Sequence, residues 1–406
     1  MIFPSPAWCD GPFGCYTAAE VITHFYNLAG YAGLIADRVR TDAYAQALRG
    51  AIRPGSVVLE IGTGPGIFAV LACQLGAGRV IAIEASPVIQ LARDVAAANH
   101  CTERIEFIED LSTNVNFPIR ADVIVSDLHG VLPLFEHHIP SIVDARRRFL
   151  APGGMLIPRK EVIWAAVVEA PDRYGKIVDP WEHNGLGQDL GAARKLVVNE
   201  ILKARFTPAQ MLTEPLVWAT LDYSTMESPD VQGELCWSIQ RDATGHGIAV
   251  WFESELADGV HFSNAPGEPE TIYACMFFPW LNPVPLAAGQ RVRVDLLAKL
   301  LGSDYFWRWT TKVGSMESPE KIITQFDQSQ LHGSILSPAA LHRGASTFVP
   351  QISEKGRMQQ RTLELMDGSA PLEEIAKRLA AEFPLRFTCW QQALSYAGEL
   401  SREYSR

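Results

Sequence analysis

The chain lacks an excess of positive charge, a membrane-length apolar run, a close cysteine pair and any internal repeat. Among its 406 residues, 35 are Lys or Arg and 46 are Asp or Glu, for a formal net charge of −11. Nucleic-acid binders neutralise phosphates with clustered Lys and Arg, so that class is set aside. An acidic surface serves solubility and suits a cationic partner. No apolar run is long enough for a bilayer span, which sets a membrane protein aside. The seven cysteines (Cys9, Cys15, Cys73, Cys101, Cys236, Cys275, Cys389) are odd in number and form no C-x-x-C pair. Reduced thiols in a cytoplasmic chain are therefore expected, without a disulfide framework or a metal site. The opening "MIFPSPAWCDGPFGCY" has no basic start followed by an apolar core, so no signal peptide is expected. With 48% hydrophobic and 20% charged residues, the chain can fill the cores of two or three globular domains.

Three kinds of pattern follow one another. "TAAEVITHFYNLAG" opens on Thr17 with Glu20 three residues later, a capping box, and "LIADRVRTDAYAQALRGAI" continues as a second helix. These N-terminal helices take up residues 1–55. Over 56–158, apolar runs alternate with helical ones: "SVVLEIG", "IFAVLACQLG", "RVIAIEAS", "PVIQLARDVAAANH", "RIEFIED" and "ADVIVSD". Continuous apolar strands between helices predict an α/β, Rossmann-like parallel sheet covered on both faces. From 159 to 328 the segments "EVIWAAVVEA", "LVWATLDYS", "GELCWSIQR", "GIAVWFESEL", "IYACMFFPW", "RVRVDLLAKL" and "YFWRWTTKV" alternate with turns and predict a β-barrel. A polar, partly helical arm at 181–215 interrupts it. Trp307 and Trp309, two apart, belong on one buried strand face. Residues 329–406 read as a small α-rich module.

"LEIGTGPGIFA" sets Gly62, Gly64 and Gly66 between a strand and a helix. Glycine permits the tight turn and a close approach of ligand to backbone. The spacing is not G-x-G-x-x-G, and no Lys-Ser or Lys-Thr pair follows, which excludes a P-loop. Glu60 precedes the glycines instead, and Glu84 ends the next strand, where a carboxylate accepts both ribose hydroxyls. This combination fits S-adenosylmethionine in a class I methyltransferase, with S-adenosylhomocysteine as product. Asp110 and Leu111, ending the third strand, then lie near the adenine, although Asp110 also reads as a strand cap.

"VSDLHGVLPLFEHH" holds two acids nine residues apart, Asp127 and Glu136, directly after the fourth strand. Ligands of open parallel sheets bind beyond the carboxyl ends of the strands. Gly130 and Pro133 set a turn that returns Glu136 towards Asp127. Paired carboxylates suit a guanidinium, which is planar, carries five donors and remains protonated. His129, His137 and His138 in the same stretch read as solvated or capping residues, with a base near neutral pH as the other reading.

In this order of parts the chain resembles the protein arginine methyltransferases over about residues 17–328. "ADRVRTDAY" resembles the family's N-terminal helix motif, which implies that Arg40 binds the donor carboxylate and that Asp37 lies near the active site. Tyr26 and Tyr31 lie near the place of the tyrosines that close over the donor. "SDLHGVLPLFE" keeps the spacing of the double-glutamate loop and maps its acids onto Asp127 and Glu136. "TIYACMFFPW" sits where the family has its Thr-His-Trp loop, which brings Tyr273 to the site. The arm implies a homodimer. The tail "LMDGSAPLEEIAKRLAAEFP" resembles PqqD-like modules, which implies a leader-peptide partner; a packing or dimerising tail is the other reading.

Two positions depart from the family pattern. The first loop acid is Asp127, one methylene shorter than Glu, and Ile272 stands where the family has histidine. The expected activity is N-methylation of a guanidino or other cationic nitrogen of a peptide, protein or small molecule. Two alternatives stay open: a methyltransferase for a different peptide or small-molecule nucleophile, and a catalytically silent peptide-binding relative. Donor turnover would exclude the silent relative, and an acceptor without a basic nitrogen would exclude the guanidino reading.

Overall fold

The structure, a computed structural model, describes residues 27–315 and 321–405. The capping box at Thr17 therefore lies outside the described residues. The expected second helix is divided. Helix α1 spans Leu28–Ala36 and α2 spans Arg38–Ala51, with Asp37 between them in an extended conformation. The Asp37 carboxylate accepts from Arg40 N–H at 3.1 Å, so a polar residue inside the helical pattern starts a new helix.

The α/β part follows as β1 (Val57–Ile61), α3 (Ile67–Gln74), β2 (Arg79–Ile83), α4 (Ile89–Ala98), β3 (Ile105–Ile108), β4 (Ala121–Ser126), α5 (His138–Phe149) and β5 (Leu150–Ile157). The five strands form one parallel sheet in the order β3-β2-β1-β4-β5, with the direction of strand order reversing at β1. Crevices beyond the carboxyl ends at such a reversal are where this architecture binds ligands. The strand β5 carries Gly153 and Gly154, which hid it among turn residues in the sequence. Cys73 of α3 and Cys101 are joined as a disulfide with their Cα atoms 6.2 Å apart. This corrects the expectation of reduced thiols throughout. The partners are 28 residues apart, and only the folding back of α4 brings them together, so spacing carried no signal of the pair.

The β-barrel domain begins at β6 (Lys160–Val168). The arm follows as α6 (Pro171–Glu182) and α7 (Gly191–Val197), packed through Tyr174, Val178 and Val198. The helices start ten residues before the expected arm, while β7 (Leu202–Ala204) and β8 (Leu216–Asp222) already belong to the sheet. Next come β9 (Val231–Ser238), β10 (Ala243–Ala257), β11 (Val260–Ser263), β12 (Cys275–Leu286), β13 (Arg291–Leu301), β14 (Asp304–Gly314) and β15 (Ile322–Ser329), and the short α8 (Gln330–Gly333). One sheet runs β7-β12-β10-β6-β8 with β11 on β10, and the other runs β15-β14-β13-β9. The two meet through aromatic side chains, as expected of Trp307 and Trp309. Both are buried, and the Phe278 ring lies 5.3 Å from each.

Helix α2 joins the α/β sheet to the barrel. Its apolar positions Tyr44, Ala47 and Leu48 recur at helical spacing and are fully buried. The Tyr44 ring stacks on Phe68 of α3 at 5.0 Å and meets Phe262 of β11 at 6.2 Å. Residues from Ile335 onward form a separate compact unit with α9 (Pro338–Gly344), α10 (Glu354–Leu365), α11 (Leu372–Glu382) and α12 (Trp390–Tyr404). Its own core includes Met358, Ile375, Leu379 and Ala397. Among the described residues, no helix is long and apolar enough to cross a membrane.

Candidate active site

The glycine loop shows why glycine stands at these positions. Gly62, Gly64 and Gly66 have φ of +74°, +52° and +82°, in the left-handed region that other side chains resist. A Cβ at Gly62 would overlap Leu128, and one at Gly64 would lie 2.8 Å from Tyr31 Cε1. The Tyr31 ring therefore lies against the loop; Tyr26 is outside the described residues. Gly62 and Thr63 donate their N–H groups to Ile83 O at 2.8 and 3.0 Å, which fastens the loop to the end of β2. Beside it, the buried Glu84 accepts from Gly64 N–H at 3.0 Å and Ser86 N–H at 2.9 Å. Glu60 lies beneath and accepts from Thr63 Oγ1 at 2.7 Å; burial pushes its carboxyl up to about 8. Asp110 caps the turn after β3 by accepting from Leu111 N–H at 2.7 Å and Asn114 Nδ2 at 2.9 Å, with Leu111 exposed. A cradle that any Cβ would fill, with a buried acid at the neighbouring strand end, fits S-adenosylmethionine.

Asp127 lies where β4 ends, and α2 and the barrel converge on it. Arg40 Nε donates to Asp127 Oδ2 at 2.5 Å, and a guanidinium Nη2 makes an ion pair with the same oxygen. Arg40 Nη1 donates to Leu34 O at 3.1 Å. Asp127 Oδ1 accepts from Tyr273 O–H at 3.0 Å and Tyr44 O–H at 3.3 Å. Burial alone would raise the Asp127 carboxyl, but Arg40 and His129 hold it below the ordinary carboxylate range. Asp37 accepts from Ile272 N–H at 2.8 Å with its second oxygen, tying the start of α2 to the 271–273 loop. Arg40, Asp127 and Tyr273, assigned separately in the sequence, thus form one hydrogen-bonded group. Glu136 is half-buried, with φ of +40°, and directly precedes the two histidines at the start of α5. A Cβ on Gly130 would lie 2.7 Å from the Phe135 ring, so glycine lets this loop fold on itself.

Behind Asp127 the polar chain continues into the barrel. His129 Nε2 lies 3.5 Å from Asp127 Oδ1 and 3.2 Å from Glu161 Oε1 of β6, with His129 and Glu161 side chains fully buried. Tyr223 donates to Glu161 and lies 3.0 Å from His138 Nε2. Burial, with His129 nearby, pushes the His138 imidazole down to about 3. His129 and His138 are therefore not the solvated residues expected; only His137 is exposed. Among the described residues, no group of three or more His, Cys, Asp or Glu side chains could hold a metal ion.

Residues 40–170 match the family model for ribosomal protein L11 methyltransferase (PrmA), and residues 159–299 match that for the arginine methyltransferase oligomerization subdomain. A probable protein arginine N-methyltransferase 6 of Arabidopsis thaliana is 31% identical over 62% of this chain, which spans 60% of that relative's length. Protein arginine N-methyltransferase 6 of Xenopus tropicalis is 30% identical over 64% of this chain and 77% of its own. The chain belongs to the protein arginine N-methyltransferase family. Its fold is also that of solved arginine methyltransferases. The Trypanosoma brucei PRMT1 enzyme–prozyme heterotetrameric complex with AdoHcy superposes with a TM-score of 0.67, at 21% identity, over 74% of this chain and 96% of that one. Arabidopsis thaliana protein arginine methyltransferase 10 gives 0.66, at 22% identity, over 75% and 98%.

Within this arginine methyltransferase fold, the sequence reading missed Tyr44, Glu161 and Tyr223. Glu161 did leave a signal. It shares strand parity with Ile163, Ala165 and Val167, all fully buried, so period two alone puts an acid on the core face. Tyr44 and Tyr223 read as ordinary core aromatics, because a hydroxyl's partner is invisible without the fold.

Proposed function

We propose that this chain is an S-adenosylmethionine-dependent N-methyltransferase that modifies the guanidino group of arginine in a peptide or protein. The observation that carries the reading is Asp127, a buried carboxylate held ionised by Arg40 on the loop next to the glycine cradle. The names of the relatives support the reaction, and the solved neighbour with AdoHcy supports the cofactor.

When bound, the cofactor supplies an electrophilic methyl group on a sulfonium sulfur. In this reading Gly62, Gly64 and Gly66 admit it to the backbone, Glu60 supports their loop and Glu84 accepts the ribose hydroxyls. Arg40 pairs with its carboxylate, Asp110 and Leu111 border the adenine, and Tyr31 covers the donor. Asp127 and Glu136 receive the acceptor guanidinium through paired N–H donors. They draw its positive charge towards two nitrogens and leave the third richer in electron density. Asp37 fixes the 271–273 loop so that Tyr273 reaches Asp127 and holds its second oxygen. Holding the nitrogen in line with the methyl group is then the main contribution of the protein to rate.

The same proposal includes a homodimer through the α6–α7 arm, supported by the oligomerization-subdomain match. It includes capture of the acceptor's leader peptide by the C-terminal unit, which has a core of its own. It also includes a cytoplasmic location, which the free Cys236, Cys275 and Cys389 fit and the Cys73–Cys101 disulfide opposes. Calorimetric titration with S-adenosylhomocysteine tests the donor site. Wild type should bind with micromolar affinity, about −8 kcal/mol, and Glu84→Ala should weaken it. Absence of binding would leave a silent peptide-binding relative as the better account.

A further inference from the structure

The mechanism above uses Asp127 but not what stands behind it. His129 lies between two carboxylates, 3.5 Å from Asp127 Oδ1 and 3.2 Å from Glu161 Oε1. Neither ring nitrogen of His129, nor Glu161 Oε1, makes a hydrogen bond among the described residues, so the two acids meet the ring as ionic neighbours. The rest of its surroundings are rings: Phe252 at 5.2 Å, Tyr273 at 5.2 Å and His138 at 5.3 Å, edge-on or tilted. Glu161 is held in turn by Tyr223 O–H. From each packed element, the charged or titratable groups facing His129 are Asp127 on its own loop, Glu161 on β6, Arg40 on α2, Tyr273 before β12, and His138 on α5.

Charge balance decides the state of this cluster. Arg40 carries one positive charge and Asp127 and Glu161 two negative ones, all buried, so the group is neutral only when His129 is an imidazolium. An uncompensated buried carboxylate is costly. Burial opposes charge on His129, but Glu161 and then Asp127 outweigh it and raise the imidazole above its ordinary value. A buried ionic chain is rarely the most stable filling of a barrel wall, since apolar side chains of similar shape avoid its desolvation. Its position against the carboxylate of the active loop supplies a reason for it.

We propose that His129 is a positioning residue: anchored by Glu161, it stands as a fixed cation behind Asp127 and keeps that shorter carboxylate ionised and aimed at the acceptor. The inference rests on the methyltransferase reading above. It assigns Asp127 an orienting task and makes Glu161, far from the loop in sequence, part of acceptor positioning. It places neither His129 nor Glu161 in donor binding.

The test compares wild type, Glu161→Gln, Glu161→Asp and the double variant His129→Met/Glu161→Ala in the full chain. Nitrogen-15 NMR of the histidines should show His129 as imidazolium at pH 7 in wild type and as neutral imidazole in Glu161→Gln. A neutral His129 in wild type overturns the proposal. S-adenosylhomocysteine affinity should stay within about twofold in Glu161→Gln while kcat on an arginine peptide falls about a hundredfold and the acid limb of the pH profile moves to higher pH. Glu161→Asp should recover most of the rate. The double variant, which removes both buried charges, should regain thermal stability but not kcat or the acid limb. Recovery of all three would reduce the dyad to a structural pair and overturn the proposal. If wild type binds S-adenosylhomocysteine but transfers no methyl group to arginine, the function reading fails, whereas the NMR result still decides the state of His129.

Discussion

The glycine cradle and the Asp127 cluster are the two halves of the proposed site, and they are built in opposite ways. The cradle is local. Residues 60–66 and 84–86 supply it, and its shape comes from positive φ at three glycines and two backbone bonds to Ile83. The cluster is long-range. Arg40, Asp127, Glu161, Tyr223 and Tyr273 come from separate elements, and the Arg40–Tyr273 bond alone spans 233 residues. The first half depends on backbone geometry that a single methyl group destroys. The second depends on a balance of buried charge that isosteric changes destroy without altering shape.

Asp127→Asn should therefore break the second half alone. Methyl transfer should fall by about a thousandfold, with S-adenosylhomocysteine affinity within a few-fold of wild type. Arg40 would lose its buried counter-charge, and the variant should lose about 3–5 kcal/mol in chemical denaturation. Collapse of donor binding would show that the two halves are not separable. Gly62→Ala should break the first half. Its Cβ meets Leu128 at a φ of +74°, and donor affinity in calorimetry should drop by about a hundredfold, or 2.7 kcal/mol.

Proton linkage sharpens the contrast, because it belongs to the cluster. The His138 imidazole, pushed down to about 3 by burial, contributes stability that is complete above its ordinary value of 6.5. That contribution is lost as pH falls from 6.5 towards 3, with a slope of up to about 1.4 kcal/mol per unit. The raised His129 works in the other direction: its contribution is present below its ordinary value and lost as pH rises through its folded one. Stability curves between pH 4 and 7 should therefore flatten in His138→Gln, and an unchanged acid slope would count against the assignment. The smallest effect belongs to neither half. Ser353 caps α10 by accepting from Gly356 N–H at 3.1 Å, and Ser353→Ala should cost that unit about 1 kcal/mol of stability, with donor binding unchanged.

The same contrast explains what could be read in the sequence. The strands β1 to β4, the glycine loop, Glu84 and the loop acids are contiguous patterns, and period and spacing suffice for them. The strand β5 was lost because Gly153 and Gly154 resemble a turn, and the break at Asp37 because a cap inside a helical period looks like an ordinary polar position. The Cys73–Cys101 pair and the His129–Glu161 contact depend on which elements become neighbours, and that information enters only with the fold. Glu161, which the sequence reading missed, is the exception that parity with Ile163 and Ala165 could have exposed.

The central claim is that Asp127 of this cluster, together with Glu136, receives an arginine side chain. It is tested most directly by incubating the full chain with labelled S-adenosylmethionine and paired peptides that differ only by arginine or lysine at one position. The account predicts label on a guanidino nitrogen of the arginine peptide alone, located by fragmentation mass spectrometry, and none with Asp127→Asn. Label on the lysine peptide, or on a residue without a basic nitrogen, would contradict it.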